Sequence, residues 1–203
     1  MAEKSKGQAT REHILQVTRQ LFTKHGFGNT SISTIIAATG VKKGNLYYHF
    51  PSKDDLGLAV LLDAKAEFAL FLEESFVGDD PLDEILNSCD MLFEMMQSQN
   101  FVGGCLFGNA ALEMTESHVG FSRIIQDVFT YWTARIEANL RKAESMGLLH
   151  NTMALSALAT TVVAAVEGGI MMSRVSKGGK GLDDCLLTLK SIFAGLRKQK
   201  SDC

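Results

Sequence analysis

The thirteen residues from Val41 to Lys53 constrain the fold more than any other stretch of the chain. Lys43 to His49 is about two helical turns. Along it Leu46 and Phe50, four apart, share one face, while Lys43, Asn45, Tyr48 and His49 point elsewhere. A helix this short is not stable alone and must be held by neighbours. Pro51 cannot continue the hydrogen-bond ladder and biases Phe50 out of the helical region. Ser52 then caps a new helix, with Asp55 three residues on completing a box-like pair. The result is a short helix with one buried side and one polar, aromatic side.

The residues just before it supply a partner. Thr30 to Thr39 opens with the capping hydroxyls of Thr30 and Ser31, carries Ile32, Ile35 and Ile36 at helical spacing, and stops at Gly40, which suits a left-handed C-cap. Helix, short turn with glycine and short helix is the helix-turn-helix arrangement, whose second helix enters the major groove. Ile36-Ala37, Gly40-Val41, Gly44, Leu46-Tyr47, His49-Phe50, Ser52-Lys53 and Leu56 resemble the N-terminal domain of the TetR family of bacterial transcriptional repressors, over roughly residues 8 to 60. The rest of the chain resembles that family in helical pattern. A closer local likeness, to some regulatory-domain subgroups, lies at Gly104-Cys105-Leu106-Phe107-Gly108-Asn109. The resemblance implies a DNA-binding domain over residues 1–53, a helical ligand-binding and dimerisation domain over 54–203, and a repressor released from its operator by a small molecule.

Charge is distributed in the same way. Residues 1–53 hold eight Lys and Arg against Glu3 and Glu12, a balance of +6, which leaves −9 on the remaining 150 of a chain whose net charge is −3. A basic head on an acidic body marks the head as the part that meets a polyanion, because phosphate neutralisation supplies most non-specific DNA affinity.

An all-α fold follows from only two prolines, abundant Ala, Leu and Met, and the absence of any long run alternating apolar with polar residues. Cys89, Cys105, Cys185 and Cys203 lack metal-ligand spacing, and the polar start has no signal-peptide core. No metal, cofactor or disulfide is expected, and the expected compartment is the reducing cytoplasm. The most apolar stretch, Met153 to Met172, is interrupted by Ser156, Thr160, Thr161, Glu167 and Gly168-Gly169, so no membrane span is expected.

In chain order, Thr10 is expected to cap a first helix to about His25, with Ile14, Val17, Leu21 and Phe22 inward. The helix begun at Ser52 should run unbroken to about Phe76, and Asp80 with Pro81 should start another to about Gln99. Further helices are expected at Cys105 to Glu116, Val119 to Met146 and 152–174. A last one carries the stripe Leu182, Cys185, Leu186, Leu189, Ile192, Phe193 and Leu196, after a flexible connector at Lys177 to Gly181.

Candidate sites follow from chemistry and from the resemblance. The matching positions of the resembled family place Lys43, Asn45 and Tyr47 at base edges, and Lys pairs with guanine as Asn does with adenine. Ser31, Ser33, Thr34, Tyr48, His49 and Lys53 suit phosphates. A largely apolar effector pocket is expected among Phe68, Phe71, Met91, Met95, Phe107, Met114, Phe129, Trp132, Val163 and Met171. Asn109, Glu113 and Glu167 would be its polar members, since each is costly inside unless a partner or ligand satisfies it. In the resembled family the last two helices form a four-helix homodimer interface, which assigns Leu182, Leu186, Leu189 and Phe193 to the dimer. Cys105, following Gly103-Gly104 at a helix start, is a candidate oxidant- or electrophile-sensing thiol. No catalytic motif is present, since G-x-S-x-G and H-E-x-x-H are both absent. An all-α enzyme and a ligand-independent DNA binder stand as the alternatives.

Overall fold

Helices form where the apolar spacing predicts them. The computed structural model describes residues 5–115, 118–150 and 153–198. Its elements are α1 (Lys6–His25), α2 (Ile32–Thr39), α3 (Lys43–His49), α4 (Lys53–Ser75), α5 (Pro81–Ser98), α6 (Leu106–Met114), α7 (Val119–Ser145), α8 (Leu155–Ser176) and α9 (Lys180–Leu196). Among the described residues there is no strand beyond an isolated antiparallel bridge between Leu149 and Arg197, so the fold is all-α. Glu116, Thr152 and Cys203, named above as helix bounds or free thiol, lie outside the described residues.

Most caps are those the sequence announces. Ser31 caps α2 by accepting the Thr34 N–H, and Gly40 closes that helix in the left-handed region at φ 68°. Ser52 Oγ accepts the Asp55 N–H at 3.0 Å and donates to its carboxylate at 2.7 Å. Asp80 caps α5 ahead of Pro81. The start of α1 differs from expectation. Ser5 is the cap, in a reciprocal box with Gln8, while Thr10 sits inside the helix and donates back to the Lys6 carbonyl. Both Ser5 and Thr10 are acceptable cap types; the extra turn forms because Gln8 completes the box.

The chain forms two compact units. The first is Met1–Phe68 with Cys105–Gln126, and the second is Ala69–Gly104 with Asp127–Cys203. The boundary expected at residue 53 is therefore not where compactness divides the chain: α4 contributes to both units, and α6 belongs with the helix-turn-helix. The core of the first unit is Ile14, Leu15, Phe22, Ile35, Leu46, Phe50, Leu56 and Val60. Leu46, fully buried, is the residue that fastens the two-turn α3 to the rest.

In the second unit α9 packs on α8 and α5. The segment between α8 and α9 is a tight turn of Lys177, Gly178 and Gly179 rather than the flexible connector expected up to Gly181. Buried Ser173 fixes it: its hydroxyl accepts the Leu182 N–H at 2.9 Å, and its carbonyl accepts the Gly178 N–H at 3.1 Å. Gly169 leaves room on α8, but α9 fills it, since a Cβ there would lie 2.9 Å from Leu182 Cα. Buried Asn139 ties α7 to α5 through the Pro81 carbonyl at 3.1 Å and the Glu84 carboxylate at 2.7 Å. Helix α8 is long and apolar enough to cross a bilayer by composition, yet it is a component of this helical unit, with Val162, Val166 and Ile170 buried.

Candidate nucleic-acid interface

Helix α3 presents two chemically opposite faces. Leu46 and the following Phe50 are buried, while Lys43, Gly44, Asn45 and Tyr48 are exposed, Tyr48 to 82%. Tyr47 is 39% exposed and lies one turn from Lys43, whose ammonium is 6.0 Å from its ring centroid. His49 is half-buried, with its ring 5.1 Å from that of Tyr48. At the start of α2, Ser31, Ser33 and Thr34 form an exposed hydroxyl cluster in which Ser31 Oγ lies 2.7 Å from Ser33 Oγ and 2.8 Å from Thr34 Oγ1. Hydroxyls at a helix start and cations beside amides are groups that bind phosphate oxygens, and Lys and Asn can read base edges.

Lys53 is placed differently from the other cations. It is half-buried, its ammonium lies 4.3 Å from the Phe27 ring centroid, and it donates to the Gly28 carbonyl at 3.4 Å. Burial pulls its pKa below the ordinary lysine value, against the opposing pull of Glu113 and Asp54. Besides any phosphate, it thus braces the turn between α1 and α2.

Gly44, one of the positions that carry the family resemblance, is a further functional candidate. It lies inside α3, where Gly costs about 1 kcal/mol relative to Ala. A Cβ there would meet nothing within 4 Å, so the fold itself gives no reason for its absence. A glycine on the exposed face of a recognition helix lets another molecule's backbone come close.

The expected pocket residues divide between the units. Phe68, Phe107, Asn109, Glu113 and Met114 belong to the first. Phe68 and Phe107 have ring centroids 6.0 Å apart, and Phe107 and Met114 are buried. Asn109 and Glu113 are satisfied within that unit: Asn109 donates to the Thr23 carbonyl at 3.4 Å, and the Glu113 carboxylate accepts the N–H groups of Phe27, at 2.9 Å, and Gly28. Phe71, Met91, Met95, Phe129, Trp132, Val163, Glu167 and Met171 belong to the second unit. Of these, Phe71, Met91, Met95, Phe129 and Glu167 are half-buried and Trp132 and Val163 buried, while Met171 is 56% exposed.

The residues expected at the dimer interface are instead the core of this chain. Leu182, Leu186, Leu189 and Phe193 are buried, at most 4% exposed, because α9 turns this stripe onto α8 and α5. A second apolar set on the same two helices faces outward: Met171, Met172, Val175, Leu187 and Ile192, with Val175 81% exposed. Ala157, Thr160, Thr161 and Ala164 continue that outward face along α8 with small side chains.

The cysteines also differ among themselves. Burial pushes the Cys89 thiol up to about 12. Cys105 is half-buried and is the N-cap of α6, its Sγ accepting the Gly108 N–H at 3.4 Å.

A short helix anchored by Leu46, with an exposed face of Lys, Asn and Tyr set against a hydroxyl-rich partner helix, defines a helix-turn-helix DNA-binding regulator. Residues 14–60 match the model of the bacterial regulatory proteins of the tetR family, and residues 81–187 match that of the tetracyclin repressor-like C-terminal domain. The chain belongs to the TetR family of transcriptional regulators. It is 26% identical over 186 residues, 91% of this chain and 93% of the relative, to an uncharacterised helix-turn-helix-type transcriptional regulator in the lacX 3′ region of Lactococcus lactis subsp. lactis. It is also 26% identical over 181 residues, 87% of this chain and 88% of the relative, to the transcriptional repressor DhaR of Mycobacterium sp. strain GP1. A TetR transcriptional regulator from Chloroflexus aurantiacus superimposes with a TM-score of 0.88 at 26% identity, covering 96% of this chain and 99% of its own. With the family established, the protein is a DNA-binding regulator and not the all-α enzyme held above as an alternative.

Proposed function

We propose that this regulator is a cytoplasmic repressor that occupies a palindromic operator as a homodimer and leaves it when a small hydrophobic effector binds the second unit. The observation that carries the DNA half is the exposed Lys43, Gly44, Asn45, Tyr47 and Tyr48 face of α3 over buried Leu46. Base reading is assigned to Lys43, Asn45 and Tyr47. Phosphate binding is assigned to Ser31, Ser33, Thr34, Tyr48, His49 and Lys53. Two copies follow from the outward apolar face of α8 and α9, because side chains such as Met171, Val175 and Leu187 favour burial against another surface. The twin of this chain is the occupant a palindrome requires.

The effector site is assigned to Phe71, Met91, Met95, Phe129, Trp132, Val163 and Glu167. Half-buried or buried aromatic, methionine and valine side chains, with one half-buried carboxylate in the set, suit a hydrophobic molecule with one polar group. Helix α4 contributes to both units, so a change of shape in one has a continuous helix leading to the other. Lowering operator affinity a hundredfold requires about 2.7 kcal/mol of differential effector binding. The test is to screen hydrophobic compounds for thermal stabilisation and titrate a bound duplex with each hit. A compound that stabilises the protein and releases the duplex supports the reading, and one that stabilises it without altering duplex affinity contradicts it.

A second reading rests on Cys105. Its sulfur is the N-cap of α6 and accepts the Gly108 N–H. Release from the operator by an oxidant or electrophile, lost in Cys105→Ser, would place the signal there instead.

A further inference from the structure

Glu113 is a negative charge in the unit that must meet a polyanion, and it is held in one place. It lies in the last turn of α6, a helix that comes from the sequence matched to the C-terminal domain yet belongs to the same compact unit as the helix-turn-helix. Although the residue is exposed, both of its oxygens are engaged: one accepts the Phe27 N–H at 2.9 Å and the other accepts the Gly28 N–H. Successive backbone N–H groups at a turn make a concave anion site. This one is cleared on both sides by glycine. A Cβ at Gly26 would lie 2.9 Å from one Glu113 oxygen, and a Cβ at Gly28 would lie 2.8 Å from the other. Gly26 also sits at φ 85°, which favours glycine.

The turn so gripped leads directly into α2. Thr30 donates its hydroxyl to the Gly26 carbonyl at 2.7 Å and its N–H to the Phe27 carbonyl at 3.2 Å, and Ser31 is the α2 cap. Lys53 closes on the same turn through the Gly28 carbonyl and the Phe27 ring. Asn109, one helical turn before Glu113 on the same face of α6, binds the Thr23 carbonyl near the end of α1.

We infer that Glu113 is a positioning residue for DNA recognition: its carboxylate, supplied by α6, fixes the Gly26-Phe27-Gly28 turn and thereby the angle at which α2 and α3 meet the duplex. The helix from the regulatory part of the sequence thus holds the reading head in register without touching DNA.

Charge and geometry give opposite signs, which makes the inference testable. Removing a carboxylate near a phosphate-binding surface tightens DNA binding if its charge is all that matters. Loss of positioning weakens specific binding instead. The probes are the tightest duplex that the unsubstituted full-length chain recovers from a random-sequence pool, and a mixed-sequence duplex.

Glu113→Gln, whose amide NH2 replaces one of the two accepting oxygens and faces an N–H donor there, should lose about tenfold on the selected duplex. It should bind the mixed-sequence duplex at least as tightly as the parent. Glu113→Asp keeps the charge one methylene short of the turn and should lose specific affinity with mixed-sequence binding unchanged. Gly28→Ala displaces the carboxylate from the other side and should match Glu113→Gln, and combining the two should cost no more than either alone. Amide hydrogen exchange at Phe27 and Gly28 should accelerate in each variant. Wild-type or tighter binding of the selected duplex by Glu113→Gln, or additive losses in the combined variant, would overturn the inference. Should Glu113→Gln fail to fold, Glu113→Asp and Gly28→Ala decide it by the same ratio of specific to mixed-sequence binding.

Discussion

Arg197, the residue that follows α9, closes its guanidinium on the carboxylate of Asp80, the residue that caps α5 117 positions earlier. The same guanidinium reaches Asp83, and next to it the Lys198 N–H bonds the Leu148 carbonyl, so the end of α9 is tied to both α5 and the α7–α8 connection. Burial would raise the Asp80 carboxyl, but the N–H groups of Asp83 and Leu82 and the Arg197 guanidinium outweigh it and hold it below the ordinary carboxylate value.

Asp80→Ala should therefore lower stability at neutral pH by about 1 kcal/mol, the usual worth of an N-cap. Because the folded value is depressed, this advantage is complete above the unfolded value of about 3.9 and fades as pH falls through the folded one. Urea unfolding of parent and variant at a series of pH values checks it. The gap should be constant near neutrality and narrow in acid, and a gap independent of pH would show that the charge of Asp80 does not matter.

Two kinds of charge substitution on the last helix separate core from interface. Leu187→Glu, on the outward face, should yield a folded monomer with native helicity. Leu189→Glu, at a position 2% exposed in the single chain, should unfold it, since a buried unpaired charge costs several kcal/mol. Sedimentation with circular dichroism distinguishes these outcomes, and an intact dimer in Leu187→Glu places the interface elsewhere.

These positions mark the limit of what the sequence makes legible. Spacing identifies α9 as amphipathic and its caps bound most other helices, because both are local properties. Spacing cannot say which of two apolar sets on α9 closes the monomer and which waits for a partner. Leu186 and Leu187 are adjacent and equally apolar, and only the packing of α5 and α8 separates them. Asn109 and Glu113 pose the same difficulty. Their polarity on an apolar helix is visible, but the groups that satisfy them lie 85 or 86 positions away in sequence, where no local pattern points. The bounds and buried side of α3 are legible because its apolar spacing, stop signal and following cap all fall within thirteen residues.

Gly44→Ala should separate stability from recognition. An alanine there meets no neighbour within 4 Å, and the substitution should raise stability by up to about 1 kcal/mol. The same methyl group lies on the exposed face of α3 that is proposed to approach DNA, so operator affinity should fall at least several-fold. Thermal melts paired with duplex titration test both halves, and unchanged affinity would remove Gly44 from the interface.

The cysteines should react unequally. Cys89, with its thiol near 12, stays protonated and should resist a limiting electrophile in the native protein, while half-buried Cys105 and Cys185 are reachable. Mass spectrometry after partial labelling reads this. Preferential labelling of Cys105 favours the sensing role, and equal labelling of Cys105 and Cys185 ends it.

In the proposed complex, α3 of two copies reads two half-sites of one operator. Selection of duplexes from a random-sequence pool by the full-length protein, followed by sequencing, tests it most directly. The expected product is an inverted repeat whose half-site centres are about 10 base pairs apart or a multiple of that, with enrichment lost in Lys43→Ala and Asn45→Ala. Recovery of a single unrepeated half-site, or of no sequence above the starting pool, would contradict it.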